Sequence, residues 1–198
     1  MPLAVTHIIV PIIFLELLRD HSRRISKFFS KRYTFLIGIA GLFPDLDLHL
    51  ITFLGYLGET IPTAKIDLGH RIIFHNIWAP LGFLIFFSFF YYAAPKLKSK
   101  LKKSKVTKKS RTKFERFGKV FLILFLGWSI HLILDAVFTG KVMPFYPLND
   151  YLLDYNLVGQ VAEMAGILKI TILVSMDALL LFFWLWHEEV HHYIKDYF

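Results

Sequence analysis

The sequence predicts an all-α polytopic membrane protein, a bundle of about five membrane spans with short interfacial helices. Hydrophobic residues occupy 56% of its 198 positions and include 21 Phe, and mean hydropathy is +0.52, which is unusual for a soluble domain. Several segments approach the ~20 apolar residues that cross a bilayer. Basic stretches separate some of these segments, as cytoplasmic loops do. The length fits one domain over residues 1–198.

Five apolar segments are the predicted spans, and prolines affect the first two. Pro11 can kink the first segment, and Pro44 interrupts the second. The N-terminal segment lacks a basic n-region and a small-residue cleavage site, so we expect a retained helix. In chain order the spans are Leu3–Leu18, Tyr33–Leu54, Ile77–Ala94, Val120–Phe138 and Ala165–Trp186.

Basic residues orient these spans. Residues 19–32 contain six Lys or Arg and residues 96–113 contain ten, so the positive-inside rule assigns 19–32 and 95–119 to the cytoplasm. Five spans then place the N-terminus, 55–76 and 139–164 outside and the C-terminus in the cytoplasm. The most basic part of the loop at 95–119, residues 96–113, contains no aromatic residue that could stack on bases. We therefore expect it to contact anionic lipid and expect no nucleic acid partner.

Seven His and Asp residues lie in or beside the apolar segments. Ionisable groups at membrane depth are costly and mark functional sites. Imidazole and carboxylate are ligands of zinc and other divalent ions, and the absence of Cys excludes thiolate sites. The predicted metal ligands are His7, Asp45, Asp47, His70, His75, His131 and Asp135.

Three of these residues share one predicted depth. His7, Asp45 and His131 each lie 12 or 13 residues from the nearest basic residue at the cytoplasmic boundary. At 1.5 Å per residue, this is roughly 18–20 Å above that boundary. Asp135 follows His131 at i+4 and shares its helix face. The spacing predicts one site in the outer part of the bilayer.

The remaining predicted ligands lie near this depth or above it. The break at Pro44 lets Asp47 turn inward beside Asp45. His70 and His75 lie at the outer entrance of the third span, where we expect them to close the site from above.

Four short elements occur in an order that resembles a known family, the LexA-binding, inner-membrane-associated hydrolases, also labelled membrane-bound metal-dependent hydrolases. The resemblance implies an inner-membrane location and a metal-dependent hydrolase. One departure is HRIIFHN, where the family has HRxxTHS, so substrate contacts are expected to differ. The elements are Thr6-His7; Gly41, Pro44, Asp45 and Asp47; His70, Arg71 and His75; and His131, Asp135, Thr139, Gly140, Pro144 and Pro147.

The order of the His and Asp residues also resembles zinc-dependent phospholipases C and single-strand nucleases. That resemblance implies phosphodiester hydrolysis. It further implies that Asp45 bridges metal ions and that His131 and Asp135 complete two coordination spheres. The number of ions stays open.

The leading functional prediction is a metal-dependent hydrolase of a phosphoester at an outward-opening site. A divalent ion, with Zn²⁺ the first choice and one or more ions allowed, would activate water. Asp47 or Asp135 would orient or deprotonate that water. Arg71 would pair with an anionic substrate. The expected partners are membrane lipid and an anionic or lipid-borne small substrate.

Three other functions are also compatible with the ionisable residues of the sequence. One is a metal-ion transporter, and another is a metal-stabilised membrane regulator without turnover. The third is a membrane metalloprotease, because residues 187–191 read HEEVH and fit H-E-x-x-H. Seven residues follow this motif in the sequence, so we expect no downstream third ligand. Asp177, in the fifth span, is expected to hydrogen-bond a neighbouring helix.

Overall fold

The part of the chain that the structure describes is almost entirely helical. The computed structural model describes residues 4–46, 75–101, 108–139, 142–149 and 151–191. Within these ranges, helices are joined by turns and by one isolated antiparallel backbone pair, Val142 with Leu153. The predicted all-helical class is confirmed for these residues.

The first helices are shaped by a serine cap and a proline stop. Helix α1 spans Ala4–His21 and continues through Pro11. The Ser22 side chain accepts from the Ile25 amide and begins α2, Arg23–Phe28. Helix α3, Lys31–Leu42, ends in a 3₁₀ turn over Phe43–Asp45.

The turn after α3 interrupts the predicted second span, Tyr33–Leu54, at Phe43–Asp45. Pro44 lacks an amide hydrogen and cannot continue the α-helical ladder. The predicted interruption is therefore confirmed. Residues 47–54 lie outside the described ranges.

The middle of the chain forms two longer helical segments. Helix α4, Trp78–Ser88, passes through a π-helical turn, Phe89–Ala93, into α5, Ala94–Leu101. Helix α6, Lys108–Leu134, ends in a second π-helical turn, Asp135–Thr139.

Much of the stretch predicted as a basic loop, 95–119, is helical. It comprises most of α5 and the first turns of α6. Lys98 lies 5.6 Å from the ring centroid of Phe114, and Lys113 lies 6.0 Å from that of Phe117. Such cation–π contacts let charged side chains cover apolar helix surface, so the described parts of this basic stretch are helical despite their charge.

The last two helices meet at a glycine. Helix α7, Leu157–Ala165, ends at Gly166, which has φ 64°. The left-handed conformation suits glycine, and it separates α7 from α8, Lys169–His191. The predicted span beginning at Ala165 therefore begins a few residues later.

Three described segments are long and apolar enough to cross a membrane: Trp78–Lys98, Thr112–Phe138 and Lys169–Val190. They match the third, fourth and fifth predicted spans. Helix α1 contains Glu16, Arg19 and Asp20, and α3 has 12 residues. Five spans thus remain a prediction, and three are supported by length and composition.

The core lies where α1, α3 and α6 pack together. Its buried side chains include Ile12 and Leu15 of α1, Ile37 of α3 and Ile123 of α6. Helix α4 packs on α6, and α8 packs on α1. Since α8 is mostly exposed in this arrangement, its apolar side chains suit contact with lipid.

Glycines allow the central helices to approach closely. A Cβ at Gly41 would overlap the carbonyl oxygen of His7, so α1 and α3 touch there through backbone atoms. A Cβ at Gly127 would lie 2.6 Å from the Cβ of Ala40 and 2.8 Å from the carbonyl oxygen of Ile37. Small residues at such crossings are typical of membrane helix packing.

Asp177 joins α8 to the start of α1. The backbone amide of Thr6 donates to Asp177 Oδ1 at 3.1 Å, and the Thr6 hydroxyl donates to the same oxygen. Both residues are buried. The expectation that Asp177 bonds a neighbouring helix is confirmed.

We expect Gly41→Ala to lower stability. The added methyl group must displace the backbone of α1, and overpacking of this kind costs ~1–3 kcal/mol. Thermal unfolding of the purified protein in detergent measures the effect. Gly82→Ala is the matched control, since a Cβ there meets nothing within 4 Å. Equal melting temperatures for the two variants would contradict the close crossing.

The predicted orientation can be tested by cysteine labelling, because the chain has no native Cys. Ser26 and Asn149 are exposed and belong to stretches predicted on opposite sides. In spheroplasts, a membrane-impermeant maleimide should label Asn149→Cys and should label Ser26→Cys only after permeabilisation. The reverse pattern would invert the predicted topology.

Candidate metal centre

Five of the predicted ligands meet at one end of the helix bundle. This end holds the starts of α1 and α4 and the ends of α3 and α6, so residues distant in sequence become neighbours. Four of them are almost fully buried, and Asp45 keeps 19% of its side chain exposed. The five residues are His7, Asp45, His75, His131 and Asp135.

Four of these residues offer ligand atoms that could hold a metal ion. His131 Nε2 lies 3.0 Å from His75 Nε2, and Asp135 Oδ2 lies 3.3 and 3.2 Å from these two nitrogens. Asp45 Oδ1 lies 3.6 Å from His75 Nε2 and 3.7 Å from His131 Nε2. Ligands ~2.1 Å from a tetrahedral ion are ~3.4 Å apart. The five measured distances, 3.0–3.7 Å, bracket this value, so the spacing of the ligand atoms is close to that of a tetrahedral site.

His131 is oriented by the backbone of α3. Its Nδ1 lies 2.7 Å from the carbonyl oxygen of Gly41. Because a carbonyl only accepts, Nδ1 carries the hydrogen, and neutral His131 presents the Nε2 lone pair to the cluster. Metal-binding histidines commonly donate their other ring hydrogen in this way.

Asp135 faces imidazoles on both of its oxygens. Its Oδ2 faces His75 and His131, while its Oδ1 lies 3.4 Å from His7 Nε2. The His7 ring stacks on His131 with centroids 3.9 Å apart. Neither ring nitrogen of buried His7 has a hydrogen-bond partner within the described residues.

The donor set fits a divalent cation. The Nε2 lone pair of neutral His131 points toward carboxylate oxygens, which are also acceptors, so a positive charge between them is favourable. Two carboxylates, Asp45 and Asp135, supply two negative charges among the described members. Nitrogen and oxygen donors together suit Zn²⁺ and its neighbours in the first transition series.

His75 lies deeper in the site than the sequence predicts. It was expected above the site, yet it is 1% exposed and contacts His131 and Asp135 directly. The backbone after it is fixed by the Ile77 amide, which donates to Pro144 O at 2.9 Å. The Trp78 indole also donates to Tyr146 O at 2.8 Å. These distant contacts are not readable from spacing.

Asp47, His70 and Arg71 fall outside the described residues, so their predicted roles stay predictions. The H-E-x-x-H motif lies toward the far end of α8, where His187 and Glu188 neighbour Glu16 of α1. The side chain of His191 is also outside the described set.

Sequence reasoning missed the role of Gly41 in this centre and the burial of Glu16 near the other end of α1. Gly41 was recognised only as part of a motif, although its carbonyl orients His131. Glu16 was overlooked, although it is an ionisable residue in an apolar helix. His7 was selected because it is an ionisable residue in an apolar helix, and the same criterion selects Glu16.

Metal content should depend on the buried imidazoles. We expect His131→Ala to lower Zn²⁺ affinity by more than the ~10–100-fold typical of losing an outer-shell partner, as elemental analysis and competition with a chelator can measure. The control is His21→Ala, because His21 is exposed at the end of α1. Equal Zn²⁺ affinity in both variants would contradict the assignment.

Comparison with known proteins supports the membrane character of the chain. The sequence model of the YdjM inner membrane protein family matches residues 1–193. Comparison with curated proteins and with solved structures gave no match. The inner-membrane part of the predicted resemblance is confirmed, whereas hydrolysis and the link to phospholipases C stay predictions. Because the match covers nearly the whole sequence, the chain belongs to the YdjM inner membrane protein family.

Proposed function

We propose that this protein is a membrane-embedded, metal-dependent hydrolase that acts on a phosphoester of an anionic, lipid-borne substrate. The observation that carries the proposal is the buried cluster of Asp45, His75, His131 and Asp135, whose ligand atoms have the spacing of a coordination shell. When bound there, a divalent ion would lower the pKa of a water ligand and polarise a phosphoryl oxygen.

The protein side chains would position the ion and handle the proton. His131, fixed by the Gly41 carbonyl, directs its lone pair inward without a rearrangement. Asp135 Oδ1 and His7 Nε2, 3.4 Å apart, form a carboxylate–imidazole pair that can accept and hold a proton released from water. His7 is thus proposed either as a ligand or as a proton carrier.

Asp45 marks the accessible side of the cluster. It is the most exposed of the four ligands, with 19% of its side chain exposed against 5% or less for the others. A substrate would approach past this carboxylate. Asp47 is two residues further along the chain, and Arg71 is four residues before His75, so both are proposed to face the substrate.

The surroundings suit a substrate that arrives through the lipid phase. Ile133, two residues before Asp135, is 60% exposed, and Leu46, the residue after Asp45, is 52% exposed. Large exposed apolar side chains on membrane helices are expected to contact acyl chains. A lipid-borne phosphoester can therefore reach this end of the bundle by lateral diffusion.

Asp45→Asn is the sharpest test of catalysis. Purified protein with Zn²⁺ should hydrolyse a chromogenic phosphodiester or phospholipid in mixed micelles, and the variant should lose at least ~100-fold in kcat/KM. The control is Asp154→Asn, since Asp154 is exposed before α7.

Each other outcome identifies a different function. Full activity in Asp45→Asn would place hydrolysis elsewhere. Metal binding without turnover would favour the metal-stabilised regulator. Zn²⁺ flux into proteoliposomes, without hydrolysis, would favour the transporter.

A further inference from the structure

A second cluster of ionisable side chains lies near the opposite end of α1. Glu16 is nine residues after His7, or ~13–14 Å along a helix. His187 and Glu188 of α8 lie beside it, and one ligand atom from each of the three lies within 4.8 Å of the others. This cluster shares no residue with the candidate metal centre.

Both carboxylates of this cluster are buried. Glu16 is 1% exposed and Glu188 is 0% exposed. Within the described residues, neither carboxylate oxygen of Glu188 has a hydrogen-bond partner. A buried carboxylate is stable only when it is compensated, so Glu188 requires a positive group or a proton.

His187 and Asp20 also lie beside these carboxylates. His187 Nδ1 lies 3.9 Å from Glu188 Oε1, and His187 Nε2 lies 3.8 Å from Asp20 Oδ2. The guanidinium of Arg19 donates through Nη1 to Thr34 at 3.0 Å. An imidazole between carboxylates, at these separations, brings nitrogen and oxygen donor atoms close together.

We propose that Glu16, His187 and Glu188 form a second divalent-cation site that fastens α8 to α1. Two carboxylates would balance the charge of one dication, and the oxygen-rich donor set suits Mn²⁺ as well as Zn²⁺. This site is additional to the proposed hydrolase centre and has a structural role.

The geometry differs from the use of H-E-x-x-H in metalloproteases. In that motif, two histidines one turn apart bind the metal and the glutamate acts as the base. Here Glu188 itself is turned inward and faces Glu16 from another helix. The glutamate therefore serves as a ligand, which favours a cross-link between helices over peptide hydrolysis.

The cross-link would act at the end of α8 that lacks the Thr6–Asp177 bonds. Thr6 and Asp177 join α1 and α8 near the first centre, while Glu16 and Glu188 meet ten or eleven residues further along both helices. The two helices therefore run parallel, and the second site would hold their other ends together. Elsewhere α8 is largely exposed.

Glu188→Gln tests the site in the full chain. After equilibration with Mn²⁺ and desalting, elemental analysis should show one ion per chain fewer than in the wild type. The rise in melting temperature on adding Mn²⁺ should shrink accordingly. The matched control is Glu189→Gln, because Glu189 is its exposed neighbour.

Other results have definite meanings. Equal Mn²⁺ content in Glu188→Gln and Glu189→Gln would overturn the proposal and indicate a shared proton instead. If Glu188→Gln does not fold, Glu16→Gln gives the same test from α1. Hydrolysis should survive Glu188→Gln and be lost in Asp45→Asn, so failure of this site is distinguishable from failure of the hydrolase.

Discussion

The contact between α1 and α3 at Gly41 is the constraint on which the rest of the site depends. Because Gly41 has no Cβ, the backbone of α1 reaches it at His7. The same residue offers its carbonyl oxygen to His131 of α6. One position thus sets the separation of two helices and the tautomer of a histidine on a third. A side chain here would disturb packing and ligand orientation together.

The buried ionisable side chains explain why the helices pack together near Gly41. Carboxylates and imidazoles are costly in an apolar environment unless they neutralise one another or a cation. The five gathered residues lie in α1, in the turn after α3, just before α4 and at the end of α6, so their mutual compensation requires all these segments to meet. Apolar contacts among Ile12, Ile37 and Ile123 bury surface but do not favour one alignment of the helices over another. The polar cluster determines how far each helix is shifted along its neighbours.

The sequence predicted which buried His and Asp residues gather more fully than it predicted the fold around them. Ionisable residues in apolar helices are conspicuous, and counting from basic residues placed His7, Asp45 and His131 together. Helix limits were less readable, because lysine-rich residues near Phe114 remain helical where a loop was expected. The position of His75 depends on backbone bonds to the 142–149 turn, which no local pattern encodes. Spacing along a helix is predictable, whereas contacts between distant segments are not.

The two clusters on α1 differ in a way that bears on their roles. The first combines three imidazoles with two carboxylates and has one partly exposed member, Asp45, past which a reactant is proposed to enter. The second has two carboxylates buried to 1% or less and an imidazole that is 12% exposed. A nearly closed set of ligands suits a structural ion, while an open one suits catalysis. This contrast in exposure, together with donor type, supports the proposal of turnover at the first cluster and of cross-linking at the second.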